Sequence, residues 1–196
     1  MKPEDDENQL TFLRQAGQAK ARGYADFFSW VTDRDLEEWG VVTTLWEVMD
    51  RNGEAFFHKL QMRPRPTDPP DAEAVDSDGK RIAIEITELV DGRAIQAHKA
   101  GATFAWAQWP RDKFLKSLSK RIADKGKRYP VLKEGPYEGG YVVLIHTDEP
   151  MLQIETVRKH LEGHTFSRPQ GVTRAILLLS YDPRSASYPY MDLSLS

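Results

Sequence analysis

Asp71 and Glu85 are the two residues of this chain whose types and spacing best suit chemistry on a divalent cation. They stand fourteen positions apart in PDAEAVDSDGKRIAIEITE, residues 70–88. Two short strand-like runs flank Asp76-Ser77-Asp78-Gly79, the composition of a tight hairpin turn. In the second run Ile82, Ile84 and Ile86 alternate with Ala83, Glu85 and Thr87, so the isoleucines take one face and Glu85 shares the other with Thr87. Asp71 and Glu73 share a face of the first run. A hairpin pairing these strands in a suitable register can bring Asp71 and Glu85 to one side of a sheet, close enough to share an ion. An ordinary antiparallel hairpin with a solvated acidic face fits the same periodicity.

The elements needed to position this hairpin follow from the rest of the chain. Four prolines between residues 63 and 70 fix an extended, stiff approach to Asp71. Residues 1–9 read as a disordered tail, and residues 10–196 as one domain. A helix over 10–30 is weakened by Gly17 and Gly23. A second helix over 34–51 begins after Thr32 or Asp33 and closes at Asn52-Gly53, with Leu36, Val41 or Val42, Leu45 and Val48 or Met49 on its buried face. Glu37 and Glu38 occupy its first turn, where carboxylates favour the positive end of the helix. Residues 54–62 suit a strand. The aromatic stretch within residues 93–110 fits a helix, a strand or a lid equally well.

A helix is expected over 111–128, its apolar stripe formed by Phe114, Leu115, Leu118 and Ile122. Its other faces carry Lys113, Lys116, Lys120 and Arg121 among further cations, a strip that suits either a phosphate backbone or plain solvent. Lys125 breaks the pattern. At about 100° per residue it falls on the core-facing side, where an ammonium must snorkel out or meet a carboxylate. Tyr129 follows at i+4. Strands over 140–146 and 174–180 bracket a helix over 154–161, and residues 188–195 add an edge strand because of Pro189. The sum is an α/β fold, a central mixed sheet flanked by helices.

Composition excludes several functions. No cysteine is present, which removes disulfides, thiolate catalysis and cysteine-ligated zinc. No apolar run is long enough for a membrane span, and the acidic start MKPEDDENQ is unlike a secretory signal, so a cytoplasmic setting is expected. The net charge of −3 gives no global case for nucleic acid, leaving local charge to make it. His160 and His164 lack the glutamate beside the first histidine that a zincin helix requires. No phosphate-binding loop, nucleophile elbow or dinucleotide fingerprint occurs. Trp39, Trp46, Trp106 and Trp109 read as core or loop-packing residues ahead of base-stacking platforms, with Trp106 and Trp109, before the basic helix, the pair best placed for stacking.

A helix with an early glutamate, a hairpin with Pro70-Asp71 opening one strand and Glu85-Ile86-Thr87 in the next, then a helix and a strand, resembles the PD-(D/E)XK nuclease superfamily, with its restriction-endonuclease-like core. The resemblance spans residues 34–180. It implies a metal-dependent nuclease that hydrolyses DNA phosphodiesters with a metal-activated water, DNA ranking ahead of RNA. It also implies Mg²⁺ or Mn²⁺ on Asp71 and Glu85, and a further ligand in the Ile86 carbonyl. Glu38 matches the family's first-helix glutamate, ahead of Glu37 and Glu47. Lys113, Lys116, Lys120, Arg121 and Tyr129 would contact the substrate, and a homodimer is compatible.

One departure stands out. The family's motif lysine should occupy position 87, where this chain has Thr87. In some branches the basic group moves to the following helix, which would make Lys125 the catalytic amine, in Lys125-Gly126-Lys127-Arg128-Tyr129. Otherwise the chain is a catalytically degenerate nuclease-fold module that binds nucleic acid or a protein partner.

Overall fold

Alternation of isoleucine with small or acidic residues along residues 81–88 does produce a strand with two different faces, and that strand organises the sheet. The computed structural model describes residues 34–63, 67–93 and 108–196. The expected tail at 1–9, the helix over 10–30, Trp106 and most of the 93–110 stretch lie outside them.

The first described helix, α1 (Arg34–Arg51), buries Val42, Leu45, Val48 and Met49. Strand β1 (His58–Met62) follows, shorter than the 54–62 expected from sequence. The reason lies at the helix end: the Glu54 amide donates to the Met49 carbonyl at 2.8 Å, so this segment first closes α1 and only then joins the sheet. The hairpin comes next, β2 (Ala72–Val75) and β3 (Arg81–Glu88). Asp76 closes its turn, with Oδ1 accepting the amides of Asp78 at 2.9 Å and Lys80 at 2.8 Å. Gly79 sits at φ +81°, a left-handed conformation that glycine adopts without steric cost.

Helix α2 (Arg111–Gly126) stops two residues earlier than its charge and apolar pattern suggested. A short 3₁₀ turn, Tyr129–Val131, follows it around Pro130. Strand β4 (Gly140–Thr147), helix α3 (Ile154–Leu161), strand β5 (Val172–Leu179) and edge strand β6 (Tyr190–Asp192) complete the described chain. The six strands form one mixed sheet in the order β1-β2-β3-β4-β5-β6. The pairs β3–β4 and β4–β5 are parallel and the rest antiparallel.

Two apolar layers hold this α/β architecture together. On one face Ile82, Ile84, Ile86, Val142, Leu144, Ile176 and Leu178 pack with Val42, Leu45 and Met49 of α1. On the other, Ala83, Tyr141, Val143, Ile145, Ala175 and Leu177 pack with Phe114, Leu118 and Ile122 of α2 and Val157 of α3. Strands β4 and β5 are thus covered on both sides, as their unbroken apolar runs require. Glu85 belongs to the face that α2 covers.

Candidate functional site

Strand pairing sets the carboxylates. The register Ala72↔Ile84 and Glu73↔Ala83, continued by one residue, brings Asp71 across from Glu85. Both are buried, at 3% and 0% exposure. The Ile86 amide donates to Asp71 Oδ2 at 2.7 Å, so the strand itself holds this carboxylate. The Arg63 amide donates to the Asp71 carbonyl at 3.0 Å and ties the end of β1 to the same point.

Helix α2 supplies the countercharge. Lys125 Nζ lies 2.9 Å from Asp71 Oδ2 and 2.5 Å from Glu85 Oε2, so the one lysine on the core-facing side meets two carboxylates. Its main chain is fixed from β4, where the Tyr141 hydroxyl donates to the Lys125 carbonyl at 2.7 Å. Two residues not singled out from the sequence complete the group. Arg128 Nη1 stands 2.8 Å from Glu85 Oε2 and 3.6 Å from Asp71 Oδ1, while its Nη2 pairs with Asp68 Oδ1. Asp68 lies in the proline-rich approach. No periodicity governs that loop, and Arg128 lies past the helix end, so only the Lys125–Tyr129 spacing hinted at this region.

Burial and mutual repulsion separate the two central acids. Burial pushes the Glu85 carboxyl up to about 8, with the neighbouring Asp71 charge adding to the rise and Lys125 and Arg128 opposing it. Burial also acts to raise Asp71, but the Lys125 charge and the Ile86 amide overcome it and hold Asp71 below the usual carboxylate range. Glu85 Oε1 is buried without a hydrogen-bond partner among the described residues. Carboxylate oxygens of Asp68, Asp71 and Glu85 all lie within 4.8 Å of one another. Three hard oxygen donors at that spacing, one with an unused buried lone pair, can hold a divalent cation.

The remaining sequence candidates are spread over two regions. Glu38 is not part of the three-carboxylate group. It lines an adjoining open cleft of about 340 Å³ with Glu37, Thr87, Glu88, His146 and Lys125. Thr87 and Lys125 therefore border the same space. Along α2, Lys113 pairs with Asp91 at 2.7 Å and lies over the Trp109 ring at 4.2 Å. Trp109 is buried, not presented for stacking. Lys120 pairs with Asp124 at 2.6 Å, and Lys116 is exposed. Arg121 departs from the solvent-facing strip read from the sequence, because its guanidinium turns inward to the Glu88, Val90 and Ser117 carbonyls. Tyr129 packs against Tyr141 with ring centroids 5.8 Å apart.

Comparison of the chain with protein-family models, with curated proteins and with solved structures finds no match.

Proposed function

We propose that this chain is a divalent-metal-dependent nuclease of the PD-(D/E)XK type, with a restriction-endonuclease-like core, acting on DNA. The single observation that carries the reading is the position of Lys125 Nζ, 2.9 Å from Asp71 and 2.5 Å from Glu85. A primary amine beside two opposed carboxylates is the set the resemblance calls for, with the amine delivered from α2 in place of residue 87. The order of elements, α1, β1, the β2–β3 hairpin, α2, β4, α3 and β5, supports the same reading.

Asp71 and Glu85 would hold the ion, with Asp68 near enough to join them. Mg²⁺ suits such a site because it takes carboxylate oxygens while keeping waters and phosphate oxygens as its other ligands. Bound there, it would polarise the scissile phosphate and lower the pKa of an attacking water. The chain's own part is to place charge. Lys125, fixed through its carbonyl by Tyr141, presents a cation where negative charge develops on the phosphate. The exposed lysines of α2 lie on the outer side of the same helix and suit a phosphate backbone.

The reading is tested by cleavage of linear DNA in Mg²⁺ and in Mn²⁺, alongside melting of the protein in each ion. Wild type should cleave and melt higher with metal, gaining about 2.7 kcal/mol at a hundredfold excess over Kd. Asp71→Ala should lose both effects. Absence of both in the wild type overturns the reading. One observation favours the second reading, a degenerate binding module on this fold: Asp71 and Glu85 are already neutralised by Lys125 and Arg128. DNA binding that is indifferent to metal, without cleavage, would establish it.

A further inference from the structure

We infer that Arg128 is the phosphate-gripping residue of this site, held on Asp68 and Glu85 until a cation takes up those carboxylates. The inference rests on the metal-dependent reading above and assigns that site its substrate contact.

Three features set Arg128 apart from Lys125. It is the more exposed of the two cations, its side chain 29% exposed against 11% for Lys125, and lies at the rim of the cluster with Asp68 at 28%, over Asp71 at 2% and Glu85 at 0%. It lies beyond the last residue of α2, so its side chain is not committed to the helix packing that holds Lys125 on the core face. Its guanidinium is divided among three acids, Nη1 between Glu85 and Asp71 and Nη2 on Asp68. A planar fork of N–H donors that fits carboxylate oxygens fits phosphate oxygens equally well.

Charge then dictates an exchange of partners. Among the described residues three carboxylates face two cations here, a surplus of one negative charge when all are ionised. Addition of a dication leaves a surplus of one positive charge, which a single phosphodiester neutralises. The cation also competes with Arg128 for Glu85 and repels it. Lys125 is the more deeply enclosed of the two and is pinned through its carbonyl by Tyr141. Arg128 is therefore the one that leaves. Its departure frees Asp68 to act as a third oxygen donor, in a loop that Lys133 keeps in place by donating to the Asp68 carbonyl.

The test uses the full chain and two probes: Mn²⁺ alone, followed by titration calorimetry, and a fluorescein-labelled oligodeoxynucleotide in Ca²⁺, followed by anisotropy. Arg128→Gln removes the competing cation, so Mn²⁺ should bind about tenfold tighter and the oligonucleotide about tenfold weaker. Asp68→Asn removes a donor, so Mn²⁺ should bind about tenfold weaker. An ion pair with a purely structural role would shift Mn²⁺ affinity in the same direction from either end. That result, or unchanged oligonucleotide affinity in Arg128→Gln, overturns the inference while leaving the metal reading intact. Arg128→Lys keeps the charge should Arg128→Gln fail to fold. It should bind Mn²⁺ like wild type and the oligonucleotide more weakly, and wild-type oligonucleotide affinity in that variant overturns the inference as well. A wild type that takes up no Mn²⁺ overturns the metal reading and this inference with it.

Discussion

Lys125 Nζ and Glu85 Oε2 lie 2.5 Å apart in a part of the protein where the glutamate has no solvent exposure. Their union depends on β3 turning Glu85 toward the face that α2 covers, and on α2 directing one lysine inward among the apolar residues Phe114, Leu118 and Ile122.

Removing the amine alone should therefore be costly. Lys125→Met keeps most of the side-chain volume but leaves Asp71 and Glu85 facing one another with Arg128 as the remaining countercharge. The expected loss is about 3 kcal/mol, the scale for breaking a buried ion pair from one side. Lys125→Met combined with Glu85→Gln should recover a good part of it, because the stranded charge goes as well. Urea denaturation of the four proteins in a double-mutant cycle measures the coupling. Additive losses would show that the contact carries no interaction energy.

Lys125 is also set from behind, and that support makes a second prediction. Gly171 has φ +80°, and a Cβ there would fall 2.3 Å from the Tyr129 ring. Tyr129 in turn leans on Tyr141, whose hydroxyl holds the Lys125 carbonyl. Tyr141→Phe should cost about 1 kcal/mol for the lost hydrogen bond. Gly171→Ala should cost about 2 kcal/mol or more, since it combines backbone strain with displacement of a ring. Thermal melting checks both. Equal, negligible effects would mean that the tyrosine pair does not support the site.

The alternation of faces along the hairpin was legible because a strand's period of two is rigid, but Asp71 and Glu85 share a side only through the register, in which Val75 pairs with Arg81 around a loop that includes Lys80. Lys125 was legible for the analogous helical reason. Arg128 and Asp68 were not, because one follows the end of α2 and the other lies in a proline-rich loop, where no period dictates direction. Strand β1 came out shorter than its composition suggested because residue 54 caps α1 through its amide, a tertiary choice that local propensity does not encode. Arg121 shows the limit of charge counting. Its place on the helix was right, but the open carbonyls of Glu88 and Val90 at the end of β3 drew its guanidinium inward.

That difference separates Arg121 from its basic neighbours by experiment. Arg121→Ala leaves partly buried main-chain acceptors unpaired and should lower stability by about 1 kcal/mol. Lys116→Ala, at an exposed position, should change stability by less than about 0.5 kcal/mol. If the basic helix follows a nucleic-acid backbone, Lys116→Ala should instead weaken DNA binding and reduce its salt dependence. Chemical denaturation and binding at two salt concentrations distinguish the roles. A stable Arg121→Ala would show that its inward contacts matter little.

Acid–base behaviour should centre on the cleft beside the site. Burial pushes Glu88 up to about 8, with repulsion from Glu37 and Asp148 adding to the rise, Arg121 opposing it and Glu149 a smaller repulsion. Asp148 is raised to about 6 for the same first reason. A carboxyl with a raised folded-state pKa binds its proton more tightly when folded. Its contribution to stability is thus complete below its unfolded value and lost as pH rises through the folded one. His146 works in the opposite direction: burial, with Arg121 nearby, lowers it to about 4, so folding resists its protonation and stability falls as pH drops from about 6.5 toward 4. Stability should therefore decline between about pH 5 and 8 on account of Glu88 and of Glu85, which burial also raises to about 8, so that Glu88 carries only part of the slope, with an acid-side loss from His146 beneath it. Glu88→Gln keeps the shape without the titration and should flatten the alkaline decline by roughly 1–3 kcal/mol, with His146→Gln relieving the acid side. Urea midpoints across that pH range give the slopes, and an alkaline slope unchanged in Glu88→Gln would assign the proton to another group.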